Sequence, residues 1–198
     1  MPPHRPHAVL PSLLLIIVSC VMPTIAAWAD TAASYTKTIE HYDIPDVVLT
    51  NQDGAKVKLR TLLNNKKPVM VDFIYTTCTT ICPVLSANFT NFQRKMGKDA
   101  GEAQLVSISI DPENDTPAAM KKYLGRYRAK PGWEFLTGTK GDIEHVIRAF
   151  RALSVFSYNK MDHYPLIIMK SPSRDDWVRI YGLIGTTELM REYEEVKR

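Results

Sequence analysis

The chain has 198 residues, 45% of them hydrophobic and 23% charged, and a formal net charge of +4. Length and composition suit one domain with a core of its own plus short extras, and they exclude a disordered or fibrous polypeptide. The small positive excess is not gathered into a basic tract, which argues against nucleic acid as the main partner.

Residues 1–29 stand apart. Arg5 is their only charged side chain, and an apolar run covers Leu10 to Val21 with small and apolar residues following to Ala29. The pattern predicts an export segment. Ala27-Trp28-Ala29 before Asp30 is a small-x-small cleavage pattern of a bacterial secretory signal. Two alternatives stay open: Ile17-Val18-Ser19-Cys20 resembles a lipobox that would leave a lipid on Cys20, and Ala8 to Ala29 approaches the roughly 20 residues of a membrane anchor, against which Pro11 and Pro23 weigh. Each version places the remainder outside the cytoplasm, in the periplasm or on the outer face of the membrane. Without this segment the only thiols are Cys78 and Cys82.

Residues 30–44 read as an N-terminal extension and 45–198 as the folded domain. Val47 to Thr50 and Lys56 to Leu59 flank Asn51-Gln52-Asp53-Gly54 and predict a hairpin ahead of the main sheet, since Asp-Gly supplies the backbone angles of a tight turn. Val69 to Tyr75 is apolar but for Asp72, the pattern of a strand covered on both faces. Pro83 to Met96 reads as a helix with Leu85, Phe89 and Phe92 inward, Cys82 as its cap and Gly97 as its stop. Gln104 to Ile110 is a second buried strand. Asp115 or Thr116 then caps a helix from Pro117, and Gly141-Asp142 introduces one bearing Ile143, Val146, Ile147 and Phe150. Leu166 to Met169 and Trp177 to Tyr181 read as strands, and Glu188 to Val196 as a closing helix. This order predicts an α/β thioredoxin-like fold. It has a central mixed sheet flanked by helices, an N-terminal β-hairpin and an inserted strand–helix.

Cys78-Thr79-Thr80-Ile81-Cys82-Pro83 falls where a central strand ends and a helix begins. A helix N-terminus favours thiolate over thiol, and so favours both nucleophilic attack and metal binding. The four-residue spacing places the two Cβ atoms about 5–6 Å apart, from which the pair can close to a disulfide or bracket a metal. A structural disulfide spanning so short a loop removes little unfolded-state entropy. Of the histidines beyond residue 29, His41 and His145 read as surface residues. His163, in Met161-Asp162-His163-Tyr164-Pro165, precedes a strand in a loop that a thioredoxin-like fold lays over the cysteine helix. Two thiolates and one imidazole form a soft three-ligand set suited to copper, whereas structural zinc usually takes four protein ligands. Asp162 is a candidate outer contact and Met161 an accessory ligand; the remaining methionines read as packing. Asp72 shares a strand face with Met70 and Ile74; if that face is buried, its pKa is raised, unless a local polar partner satisfies it.

The order Tyr75-Thr76-Thr77-Cys78-x-x-x-Cys82-Pro83, then Ser109-Ile110-Asp111-Pro112-x-x-Asp115-Thr116-Pro117, then Asp162-His163 before a strand resembles the Sco/SenC family of copper-binding oxidase assembly proteins. The resemblance covers nearly all of the exported domain. It implies that Cys78, Cys82 and His163 bind Cu(I) or Cu(II). It also implies delivery of the metal to the copper-bearing subunit of a cytochrome c oxidase, or to another copper protein; the domain is expected to be membrane-proximal, with a monomer as the default. Thr79-Thr80 stand where many members have Pro-Asp, so any role of that acid is absent. Val71-Asp72-Phe73 is similar to thioredoxins, whose buried acid at that place moves protons, and Tyr164-Pro165 to their cis-proline segment. These two features point to a competing reading as a thiol–disulfide oxidoreductase acting on the cysteines of a copper protein and drawing on a thiol reductant. In it Cys78 attacks, Cys82 resolves and Asp72 assists. A third reading is a structural or sensing domain with an inert disulfide.

Overall fold

The computed structural model describes Met1, residues 35–153 and residues 164–198. The chain divides into two units, Met1–Ala32 and Ala33–Arg198, and the architecture below is that of the second. The expected export segment, including Cys20, lies outside the described residues, as do Met161, Asp162 and His163.

In chain order the elements are β1 (Tyr35–Glu40), β2 (Val48–Asn51), β3 (Lys56–Lys58), α1 (Leu59–Leu63), β4 (Val69–Ile74), α2 (Cys82–Met96), β5 (Gln104–Ser109), α3 (Pro117–Arg126), β6 (Trp133–Thr137), α4 (Lys140–Ala149), β7 (Leu166–Lys170), β8 (Trp177–Gly182) and α5 (Thr186–Lys197). The strands form one sheet ordered β1-β8-β7-β4-β5-β6-β2-β3. β4, β5 and β6 run parallel, joined by helical crossovers as parallel strands require. β7 and β8 return antiparallel on the other side of β4. This is the thioredoxin-like arrangement, with β4 at the centre and all six of its residues buried.

Two apolar layers sandwich the sheet. One packs α2, α3 and α5 on Met70, Ile74, Leu105, Phe135, Ile167 and Met169. The other packs α1 and α4 on Val69, Val71, Phe73, Val106, Ile108 and Leu136. Successive residues of β4 and β5 alternate between these layers because side chains in a strand have a period of two.

The hairpin forms, but instead of preceding the sheet it extends it: β2 pairs antiparallel with β6 through Thr50–Thr137 and Asn51–Leu136. Within the expected N-terminal extension, β1 closes the opposite edge by pairing with β8 along its whole length. Thr116 is the cap of α3, its hydroxyl accepting the Ala119 N–H at 3.2 Å. Helix α2 begins one residue earlier than expected. Ile81 is already in helical conformation, and its carbonyl accepts the N–H groups of Val84 at 3.0 Å and Leu85 at 3.2 Å, so Ile81 rather than Cys82 is the cap. The Tyr164–Pro165 bond is trans, since no cis peptide occurs among the described residues. That corrects the cis expectation: the trans form is intrinsically favoured, and here the Pro165 carbonyl extends the β7–β8 ladder by accepting the Gly182 N–H at 2.9 Å.

Candidate metal and thiol site

The site is built at the C-terminal end of β4, where the chain leaves the sheet and turns into α2. Thr77, Thr79 and Thr80 are exposed at the tip of this turn, while both cysteines are buried beneath it as free thiols. The Cys78 N–H donates to the Tyr75 carbonyl at 3.2 Å, which folds the chain back. Cys78 Sγ then accepts the Cys82 backbone N–H at 3.4 Å and lies 3.7 Å from the Thr80 hydroxyl. The sulfur thus takes up one of the N–H groups that a helix start leaves without an intrahelical partner.

This geometry separates the two thiols in acidity. Burial disfavours the Cys78 thiolate, but hydrogen bonds from the Cys82 thiol and backbone N–H and from Thr80 outweigh it and bring Cys78 down to about 7. Cys82 is pushed well above the ordinary thiol range, by burial first and then by the neighbouring Cys78 sulfur. The first proton to leave the pair therefore comes from Cys78, and any negative charge near neutral pH is placed there. Tyr75 flanks it, its hydroxyl raised to about 12 by burial and then by the Cys78 charge. At the position of Thr80 a hydroxyl can donate to the thiolate, whereas a carboxylate would repel it.

Asp72 lies on the same face of β4, fully buried, with neither carboxylate oxygen hydrogen-bonded. Burial raises its pKa to about 7, and Ser107, its partner across the β4–β5 pair, pulls in the opposite direction without closing a hydrogen bond. The alternative of a local partner satisfying the carboxylate is therefore not met. His41 and His145 are exposed, and Met70, Met120 and Met169 are core residues.

Among the described residues no three His, Cys, Asp or Glu side chains converge as a metal cluster. The two sulfurs supply a soft pair of donors, and the third expected ligand, His163, lies outside the described residues. Sequence reasoning quoted Thr76, Ser109 and Asp115 within its motifs but missed that hydrogen bonds join them behind the cysteine loop. The available signal was the pair of polar residues, Ser107 and Ser109, recurring at alternate positions of an otherwise apolar strand.

A mixed sheet with a reduced Cys-x-x-x-Cys at the junction of its central strand and the following helix defines a thioredoxin-fold thiol protein. Residues 37–190 match the family model described as SCO1/SenC, and the chain belongs to that family. It is 35% identical over 116 residues to the SCO1 protein homolog of Bacillus subtilis, covering 57% of this chain and 59% of that protein, so it spans less than two thirds of that relative. Among solved structures, Bradyrhizobium japonicum ScoI with copper bound is 32% identical, with a TM-score of 0.63 over 78% of this chain and 99% of that one. BsSco, a member of the Sco family of cytochrome c oxidase assembly proteins in which a disulfide switch has been identified, is 27% identical, with a TM-score of 0.65 over 81% of this chain and 96% of that one.

Proposed function

We propose that this chain is an exported copper chaperone of cytochrome c oxidase assembly, in which the Cys78 and Cys82 thiolates and the His163 imidazole hold copper as cargo. The supporting observation is the pair of reduced sulfurs at the start of α2, one of them with a pKa near 7, in a relative of a protein solved with copper bound. Copper draws the second proton from Cys82, because a metal ligand must be deprotonated. The cargo then passes to the copper-bearing subunit of the oxidase, or to another copper protein, by exchange of thiolate ligands at the exposed tip. Residues 1–29 carry the domain across the cytoplasmic membrane or tether it to the outer face. Among the described residues no helix is long and apolar enough to cross a membrane. Anaerobic titration of the reduced protein with Cu(I), then Cu(II), tests the site. One tight equivalent, lost in both His163→Ala and Cys78→Ser/Cys82→Ser, is the expected result; binding indifferent to His163 overturns the three-ligand reading.

The contrast in acidity between the two thiols supports a second activity, reduction of a partner's disulfide. The Cys78 thiolate attacks one partner sulfur and expels the other as thiolate. Cys82 then gives up its proton, for which the unpaired Asp72 carboxylate on that strand face is the acceptor, and attacks Cys78 Sγ. The partner leaves with two reduced cysteines and this chain with a Cys78–Cys82 disulfide, to be returned to the dithiol by an external thiol reductant. Replacing His163 separates the two activities, since it removes a copper ligand and leaves both sulfurs in place.

A further inference from the structure

Asp115 is fully buried, and both of its carboxylate oxygens are engaged. One accepts the Thr76 backbone N–H at 3.0 Å and the Thr76 hydroxyl at 2.6 Å; the other accepts the Ser109 hydroxyl at 2.5 Å. The remaining polar group of Thr76, its carbonyl, accepts from the Arg126 guanidinium on α3 at 3.4 Å. Every polar group of Thr76 is therefore held from the β5–α3 side, two residues before Cys78.

The anchor is set by its own loop. Ser109 Oγ also accepts the Asp111 N–H at 3.0 Å, and the Asp115 N–H donates to the Asp111 carbonyl at 2.9 Å. The Asn114 amide holds the Asp111 carboxylate at 2.9 and 3.1 Å. None of these bonds depends on the cysteine segment. Starting α3 does not require a buried carboxylate either, because Thr116 caps that helix. Sinking a carboxylate into the protein is costly unless it is well bonded, and here the bonds it makes across the chain all go to Thr76. Beyond Thr76 the chain rises into the exposed tip, and before α2 it is held by one further backbone bond, from the Cys78 N–H to the Tyr75 carbonyl at 3.2 Å. The Thr76 clamp and the start of the helix thus fix where Cys78 Sγ stands against the Cys82 N–H.

We infer that Asp115 is a positioning residue for the thiol site. It clamps Thr76 so that Cys78 Sγ meets the Cys82 N–H, which stabilises the reduced pair and its grip on metal. The inference deepens the copper reading, and only its metal arm rests on that reading.

The test compares full-length protein in detergent carrying Asp115→Ala, Asp115→Asn or Thr76→Val, with Ile147→Ala on the opposite face of the sheet as a destabilised control. The readouts are the dithiol–disulfide equilibrium against glutathione, measured without metal, Cu(I) affinity by competition with a chelator, and thermal melting. Asp115→Ala should shift the glutathione equilibrium toward the disulfide and weaken Cu(I) binding, each about fivefold, the worth of roughly one hydrogen bond. Thr76→Val, which keeps the backbone bond, should move both in the same direction by less. Asp115→Asn should restore both, since its amide oxygen still accepts from Thr76. Ile147→Ala should lower the melting temperature and move neither. Unchanged equilibrium and affinity in Asp115→Ala and Thr76→Val overturn the inference, as does a shift in Ile147→Ala equal to that in Asp115→Ala. If no form binds copper but the glutathione equilibrium shifts as stated, the copper reading fails and the positioning role stands.

Discussion

The two faces of β4 and β5 are equally buried and chemically unlike. Toward α1 and α4 the strands present Val69, Val71, Phe73, Val106 and Ile108, and the only business of that face is packing. Toward α2 the same strands present Asp72, Ser107 and Ser109 among the apolar residues, with Cys78, Cys82 and Asp115 packed close by. Exposure to water does not explain the contrast, since all of these groups are buried. Each buried polar group without a full set of partners costs on the order of 1–3 kcal/mol. One face is optimised for stability, and the other retains groups that stability alone would replace. Perturbed titratable groups gathered on one side of a sheet are the usual physical mark of a working site.

The apolar face offers the larger effect. Phe73 lies with its ring 5.9 Å from that of Phe150, which in turn contacts Trp177 at 5.8 Å. Phe73→Ala should destabilise the domain by about 3–5 kcal/mol through the cavity it opens. Among the molecules that remain folded, the dithiol should react as in the wild type. Urea unfolding and thiol alkylation at one pH check both halves, and a marked change in Cys78 reactivity would break the division between the faces.

On the polar face the sign is reversed and depends on pH. The Asp72 carboxyl binds its proton more tightly in the folded protein, with a pKa raised to about 7 against 3.8 when free of the fold. Below 3.8 both states are protonated and no penalty arises. As pH rises from 3.8 to 7 the unfolded chain loses this proton first, so stability falls across that window and levels off above it. Asp72→Asn should therefore stabilise the protein at pH 8 by up to about 4 kcal/mol, following the linkage between pKa and stability. Below pH 4 it should change little. Urea unfolding at the two pH values checks the difference, and an equal effect at both would mean that burial does not raise the Asp72 pKa.

Legibility in the sequence followed the same division. β4 could be read because a strand covered on both faces must be apolar throughout, which left Asp72 conspicuous. The helices α2 and α4 showed their buried residues at helical spacing. β1 could not be read: Tyr35-Thr36-Lys37-Thr38-Ile39-Glu40 is mostly exposed, and its pairing with β8 is a purely tertiary event. The two cysteines were legible from their spacing and placement, but the difference in their acidity was not, because it arises from the burial of Cys82 and from the hydrogen bonds that converge on Cys78 Sγ in three dimensions. Asp115 and Thr116 looked interchangeable as helix caps. Only the fold turns Thr116 toward α3 and Asp115 toward Thr76.

Ser107 gives the smallest effect and tests the polar face most closely. Its hydroxyl oxygen accepts the Trp133 indole N–H at 3.0 Å, while its own proton remains available to orient toward Asp72 across the strand pair. Ser107→Ala removes the acceptor from a buried indole and should cost about 1–2 kcal/mol at pH 4, where Asp72 is protonated in either form. It also removes the group that holds the Asp72 pKa down, so that pKa should rise further and the window of falling stability should extend to higher pH. The loss at pH 8 should accordingly exceed the loss at pH 4. Equal losses at the two pH values would reduce Ser107 to a partner of Trp133 and leave the Asp72 carboxylate governed by desolvation alone.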